Sequence, residues 1–110
     1  MIPTLTVISI AATAQGTEVY KNVPLSLVNN HVVRLGVMTE PFYWHYHPNS
    51  DETFLVTEGA IYIDLENQTV ELAAGQLFTV PANVKHCTRP KGNRSVNLTF
   101  ELADMQTVKC

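Results

Sequence analysis

His45 and His47 stand two residues apart in the stretch Trp44-His45-Tyr46-His47-Pro48-Asn49-Ser50-Asp51-Glu52, and a carboxylate follows five residues after the second imidazole. Alternate side chains of a β-strand share a face. The two imidazoles therefore point the same way, roughly 7 Å apart along the strand, and can converge on one metal ion. Pro48 to Asp51 is dense in turn formers, which predicts a chain reversal that brings Glu52 over the histidines as a third ligand. His86 is the best candidate for the fourth. Three imidazoles and one carboxylate suit one divalent transition metal ion, whether Fe, Mn, Ni, Zn or Co, and in a six-coordinate geometry leave two adjacent positions for water or substrate. Such an ion acts as a Lewis acid or, if it is iron, holds oxygen beside a substrate.

Strands must position these groups, because the chain reads as alternation almost throughout, with turn signals at short intervals. Strands are predicted over Val33 to Val37, Phe54 to Thr57, Ile61 to Leu65, Val70 to Leu72, Leu77 to Val80 and Val84 to Thr88. Glu66-Asn67-Gln68 joins Ile61–Leu65 to Val70–Leu72 as a hairpin. The clearest half-buried strand is the last, where Val96, Leu98, Phe100 and Leu102 alternate with Asn97, Thr99 and Glu101. Leu5, Val7, Ile8 and Ile10 interleave with Thr6 and Ser9 as in a further, N-terminal strand. Many short strands with closely spaced turns and no internal linker predict an all-β fold, a single β-barrel domain over residues 1–110.

Two spaced elements sharpen this reading. The first is His45-x-His47-x4-Glu52-x6-Gly59, and the second is Gly75-x5-Pro81-x4-His86. Together they resemble the two sequence motifs of the cupin superfamily from about Thr39 to Pro90, with the short inter-motif segment of small single-domain cupins. The resemblance implies a jelly-roll barrel, also called a double-stranded β-helix, of the RmlC-like kind. It also implies that His45, His47, Glu52 and His86 are the metal ligands. Three positions depart from the motifs: Thr39 and Asn83 replace glycines, and Pro90 replaces an asparagine. None is a ligand, and Asn83 can adopt the left-handed conformation that a glycine would supply.

Parity extends the sketch. If His45 and His47 face inward, so does Tyr43, as a core residue rather than a catalytic one. Phe54 and Val56 then face inward with Glu52. Phe42, Trp44 and Tyr46 fall on the opposite face, an aromatic patch that calls for a cover. A homodimer is expected there, with an N-terminal strand packed across or exchanged with the partner; the alternative is the chain's own N-terminal segment. Lys85, Arg89, Lys91 and Arg94 cluster around His86. They suit either a mouth for anionic substrates or, as the composition favours, a solvated loop. His31 is expected at a turn edge, and Cys87 should point away from the ion as a structural thiol.

Composition limits the function classes. The 110 residues carry a formal charge of -3, which argues against nucleic-acid partners, and 45% are hydrophobic. No run reaches the roughly 18 apolar residues of a membrane span. Ala12-Thr13-Ala14 looks like a cleavage site, yet no Lys or Arg precedes the apolar stretch, and an N-terminal strand is the better reading. Two cysteines, Cys87 and Cys110, make no disulfide framework, which suits a cytoplasmic protein. The expected function is a metal-dependent enzyme on a small-molecule substrate, of dioxygenase or of isomerase/epimerase type. The rival is a non-catalytic cupin that binds or senses a small ligand.

Overall fold

The computed structural model describes residues 2–110. A short helix, α1 (Ile10–Ala14), is followed by ten strands: β1 (Lys21–Val28), β2 (His31–Met38), β3 (Phe42–Tyr46), β4 (Glu52–Glu58), β5 (Ala60–Leu65), β6 (Thr69–Ala73), β7 (Leu77–Val80), β8 (His86–Pro90), β9 (Ser95–Leu102) and β10 (Val108–Lys109). They form two five-stranded antiparallel sheets, ordered β1-β2-β9-β4-β7 and β10-β3-β8-β5-β6. The predicted all-β class and the β5–β6 hairpin are observed, with two facing sheets in place of a closed barrel.

The core lies between the sheets. Met38, Phe54, Val56 and Val80 from one sheet meet Ile61, Ile63 and Leu72 from the other. Alternation at period two places these apolar residues on facing surfaces, and their burial supplies the main stabilisation. The cavity described below opens at one end of this core.

The N-terminal prediction fails in an informative way. Leu5 has φ 52 and, like Val7, is fully exposed, while the residues after Ser9 form α1 instead of a strand. Ser9 acts as N-cap, its Oγ accepting from the Ala12 N–H at 3.2 Å, and the small residues that follow favour the helical turn. The segment still has an apolar face. Ile8, Ile10 and Ala14 pack on Leu35, Val37, Val96 and Leu98, which form the outer surface of the first sheet.

Strand β9 is also more buried than its alternation suggests. It lies between β2 and β4, and residues from Ser95 to Thr99 are all buried. The apolar positions face the N-terminal segment, whereas Asn97, Thr99 and Glu101 face the interior rather than solvent. That inward polar row becomes one wall of the site.

Gly59 makes the turn from β4 to β5 with φ +72, and a Cβ built there would lie 3.0 Å from the Arg94 carbonyl oxygen. Both observations explain the glycine of the first motif. Gly59→Ala is expected to lower stability by roughly 1–3 kcal/mol, from a strained left-handed backbone and a clash with a main-chain oxygen. A urea midpoint equal to that of the parent would refute it.

Candidate metal centre

His45 lies on β3 directly opposite His86 on β8, so the ladder between these strands sets two imidazoles side by side, with ring centroids 4.2 Å apart. His47 follows the end of β3, and Glu52 is the first residue of β4 on the facing sheet. The turn between them is held at every polar position. The Asn49 Oδ1 accepts from the Gln106 N–H at 2.8 Å, the Ser50 Oγ accepts from the Leu102 N–H at 3.0 Å, and the Asp51 Oδ1 accepts from the Ala82 N–H at 2.8 Å. Asn83, with φ 69, donates its N–H to the His47 carbonyl at 2.9 Å, as expected of a residue standing in for glycine at the Pro81 corner.

All four candidate ligands are buried, and one donor atom from each lies within 4.8 Å of the others. Each imidazole is oriented by a backbone carbonyl. His45 Nδ1 lies 2.7 Å from the Tyr43 carbonyl oxygen, His86 Nδ1 lies 2.9 Å from that of Val84, and His47 Nδ1 lies 3.0 Å from that of Gln106. A carbonyl only accepts, so each Nδ1 carries the proton and donates it. Each Nε2 then presents a lone pair toward the centre of the cluster.

This leaves acceptors facing acceptors. His47 Nε2 is 3.2 Å and His86 Nε2 is 3.4 Å from the same carboxylate oxygen, Glu52 Oε1. His47 Nε2 has no aligned hydrogen bond although it is fully buried. Converging lone pairs on buried side chains call for a cation among them, either a proton or a metal ion. Donor atoms bound to one ion at about 2.1 Å lie at most about 4.2 Å apart, so the cluster needs only a small contraction to enclose one. The residues present fit a metal.

The titration of the cluster follows from the same geometry. Burial lowers His45 to about 4, which keeps it neutral. Burial opposes ionisation of Glu52 too, but His47 and His86, which become donors to it when a proton enters the cluster, outweigh burial and bring the carboxyl to about 2. For His47 burial works against the imidazolium, and contact with Glu52 prevails, so its pKa rises. A metal ion entering the site competes with this proton.

The cluster borders a cavity of about 230 Å³. Phe42, Phe54 and Met38 give it an apolar side; Arg34, Asn97, Thr99 and Glu101 give it a polar one. Glu101 is 2% exposed, its Oε1 accepts from the Thr99 hydroxyl at 3.0 Å, and its Oε2 has no partner. Burial, reinforced by the nearby Glu52 charge, pushes its carboxyl up to about 8. Asn97 sits over Gly36, where a Cβ would come within 3.2 Å of its Oδ1, so the missing side chain makes room for the amide. None of Arg34, Asn97, Thr99 and Glu101 was singled out as a site residue from sequence, because polar alternation has the same pattern whether it faces solvent or a cavity.

Other expectations are corrected. The pairing of β3 with β8 is irregular between Phe42 and His45, and this breaks the parity that would have turned Tyr43 inward. Phe42 lines the cavity instead, edge-on to His45 at 5.0 Å, and Tyr43 is 43% exposed under the Lys109 ammonium. Only Trp44 and Tyr46 of the aromatic trio remain on the outer face. The strand edge there is paired by β10, and the N-terminal segment lies on the other sheet.

The basic residues around His86 do not line the cavity. Arg89 pairs with Asp64 at 2.9 Å, Lys91 with Glu71 at 3.2 Å, and Arg94 with Glu58, while Lys85 is exposed. His31 opens β2 in an exposed position beside Asn29, as expected of a turn edge. The Cys87 thiol donates to the Phe42 carbonyl at 2.8 Å and stays out of the cluster.

Residues 31–100, which include the whole cluster, match the family model of the cupin domain. The chain is a cupin. Among its relatives, uncharacterized protein YdbB of Bacillus subtilis (strain 168) is 41% identical over 92 residues, covering 83% of this cupin and 80% of YdbB. Polyketide synthase CurC of Streptomyces cyaneus is 34% identical over 61 residues, which is 56% of this cupin and 40% of CurC. The cupin thus spans less than half of CurC. Among solved structures, a cupin-2 domain containing protein from Shewanella frigidimarina NCIMB 400 superposes with a TM-score of 0.80 at 25% identity, covering 87% of this cupin and 94% of that chain. No helix of the described residues is long and apolar enough to cross a membrane.

Proposed function

We propose that His45, His47, Glu52 and His86 hold one divalent transition metal ion, and that this cupin is a metal-dependent enzyme acting on a small organic molecule. The supporting observation is the set of three Nδ1–carbonyl hydrogen bonds that leaves three unprotonated Nε2 atoms, two of them within 3.4 Å of one buried carboxylate oxygen, in a cluster of four candidate ligands. Bound there, the ion supplies Lewis acidity or, as iron, redox chemistry, which corresponds to an isomerase/epimerase or a dioxygenase reaction.

The protein's own groups set the remaining conditions. Phe42 and Phe54 keep part of the cavity apolar and limit the water that shares it with a substrate. In the metal-free protein burial and the Glu52 charge keep Glu101 protonated near neutral pH. Because its Oε1 accepts from Thr99, that proton belongs on Oε2, where it can be donated to a bound oxygen atom.

The test is metal analysis of protein prepared without chelator or nickel resin, followed by reconstitution. The parent chain is expected to retain about one ion per chain, and His47→Ala to retain little, because loss of a ligand should cost more than the 10–100-fold typical of an outer-shell partner. A parent chain that takes up no divalent ion would remove the reading. Tight ligand binding by loaded protein with no turnover would favour the non-catalytic binding cupin instead.

A further inference from the structure

Arg34 points into the cavity from β2, directly across the ladder from Thr99 on β9. The ion pairs of the described residues engage Arg89 and Arg94, but not Arg34. Its side-chain hydrogen bond is a long one, from Nη1 to the Asn22 Oδ1 at 3.5 Å. Glu101 faces the same cavity from the neighbouring strand, buried, with Oε2 unpartnered, yet the two do not pair. A guanidinium and an unpartnered carboxyl oxygen left apart on one wall can both be served by one ligand lying between them.

Charge indicates what that ligand is. Taking the ion site proposed above as given, a divalent ion and the Glu52 carboxylate leave one net positive charge, and Arg34 adds a second. The cavity stays net positive even with Glu101 ionised. Guanidinium binds carboxylate through two parallel N–H donors, a geometry that neutral groups do not match. The apolar side formed by Phe42, Phe54 and Met38 suits a short hydrocarbon spacer.

We propose that the substrate is a small organic acid. Its carboxylate docks on Arg34, and an oxygen-bearing group at its other end reaches the His45, His47, Glu52 and His86 cluster, passing Glu101 Oε2 on the way. Arg34 is then the residue that determines specificity. The basic cluster of Lys85, Arg89, Lys91 and Arg94 takes no part.

Two probes of similar size separate the carboxylate from the rest of the ligand: succinate monohydroxamate and butyrohydroxamate. Both offer a chelating hydroxamate, and only the first carries a carboxylate tail. Cobalt-loaded parent protein, followed by its visible spectrum, should bind the first at least about tenfold more tightly, the scale of one charge-assisted contact. Arg34→Met should lose that preference while binding butyrohydroxamate unchanged, and Arg34→Lys should recover part of it. Equal affinities in the parent, or a preference that persists in Arg34→Met, would overturn the proposal.

The metal-free protein gives an independent reading. In its nitrogen–proton spectrum the Arg34 Nε–H signal, assigned by its loss in Arg34→Met, should move with succinate monohydroxamate and not with butyrohydroxamate. If the chain takes up no cobalt, the ion-site reading fails and this signal alone decides. Movement supports the organic-acid ligand, and no movement overturns it.

Discussion

Adding a divalent ion at about 100 times its Kd to metal-stripped protein is expected to raise the melting temperature by about 10 °C, and His86→Ala is expected to abolish the rise. An ion that binds only the folded chain stabilises it by about 2.7 kcal/mol at that saturation. For a chain of this length each kcal/mol moves the midpoint by roughly 4 °C. Folding preassembles the site, since His45 and His86 are paired across β3 and β8 and Glu52 arrives from the other sheet. The unfolded chain has no such cluster to offer.

His86 is the most buried of the four candidate ligands at 0% exposure, packed against His45 and with its ring centroid 6.3 Å from that of Phe54. Truncating it also leaves a cavity that destabilises the fold whether or not metal is present. The informative quantity is therefore the rise on adding metal to one and the same variant, in which the cavity cost cancels. A rise in His86→Ala equal to that of the parent would show that the ion binds elsewhere. The rise should also shrink at acid pH, where a proton on His47 competes for the cluster.

The sequence makes the candidate ligand set visible and hides what surrounds it, for a physical reason in each case. His45 and His47 share a face by strand parity, and Pro48-Asn49-Ser50-Asp51 is dense in residues that favour a turn. Those are local rules. Tyr43 was misplaced because an irregularity in strand pairing depends on the partner strand, which periodicity in one strand cannot reveal. The N-terminal segment forms no strand because a strand needs a neighbour to bond to. Ser9 instead found the Ala12 N–H within reach and began a helix.

The polar wall was hidden by topology. Asn97, Thr99 and Glu101 look like the wet side of an amphipathic strand, and only the position of β9 between β2 and β4, with the second sheet above, makes that side an interior. The carbonyl that orients His47 comes from Gln106, 59 residues away in a segment without sequence features to mark it.

In the metal-free protein, Glu101→Gln is expected to match the parent within about 1 kcal/mol at pH 5 and to exceed its stability at pH 9 by on the order of 4 kcal/mol. In the unfolded chain this carboxyl ionises near its ordinary 4.5, whereas in the fold burial and the Glu52 charge hold it up to about 8. Between those values the folded chain keeps a proton that the unfolded chain has released. Stability conferred by the neutral carboxyl is therefore complete below about pH 4.5, falls as pH rises, and is lost above about pH 8.

Glutamine does not titrate, and its amide oxygen can keep the acceptor role toward the Thr99 hydroxyl. His47 contributes a slope of the same sign; the Glu101 charge is the last and smallest of the causes that raise it, so the difference between variant and parent reports Glu101 with only a minor share from His47. Urea unfolding in chelator at the two pH values measures it, and parallel pH profiles for the two proteins would refute the buried-acid assignment. With metal bound, the positive ion offsets the Glu52 charge that helps to raise Glu101, and the difference at pH 9 should contract. That contraction would show, without any substrate, that the ion and the Glu101 carboxyl belong to one electrostatic site.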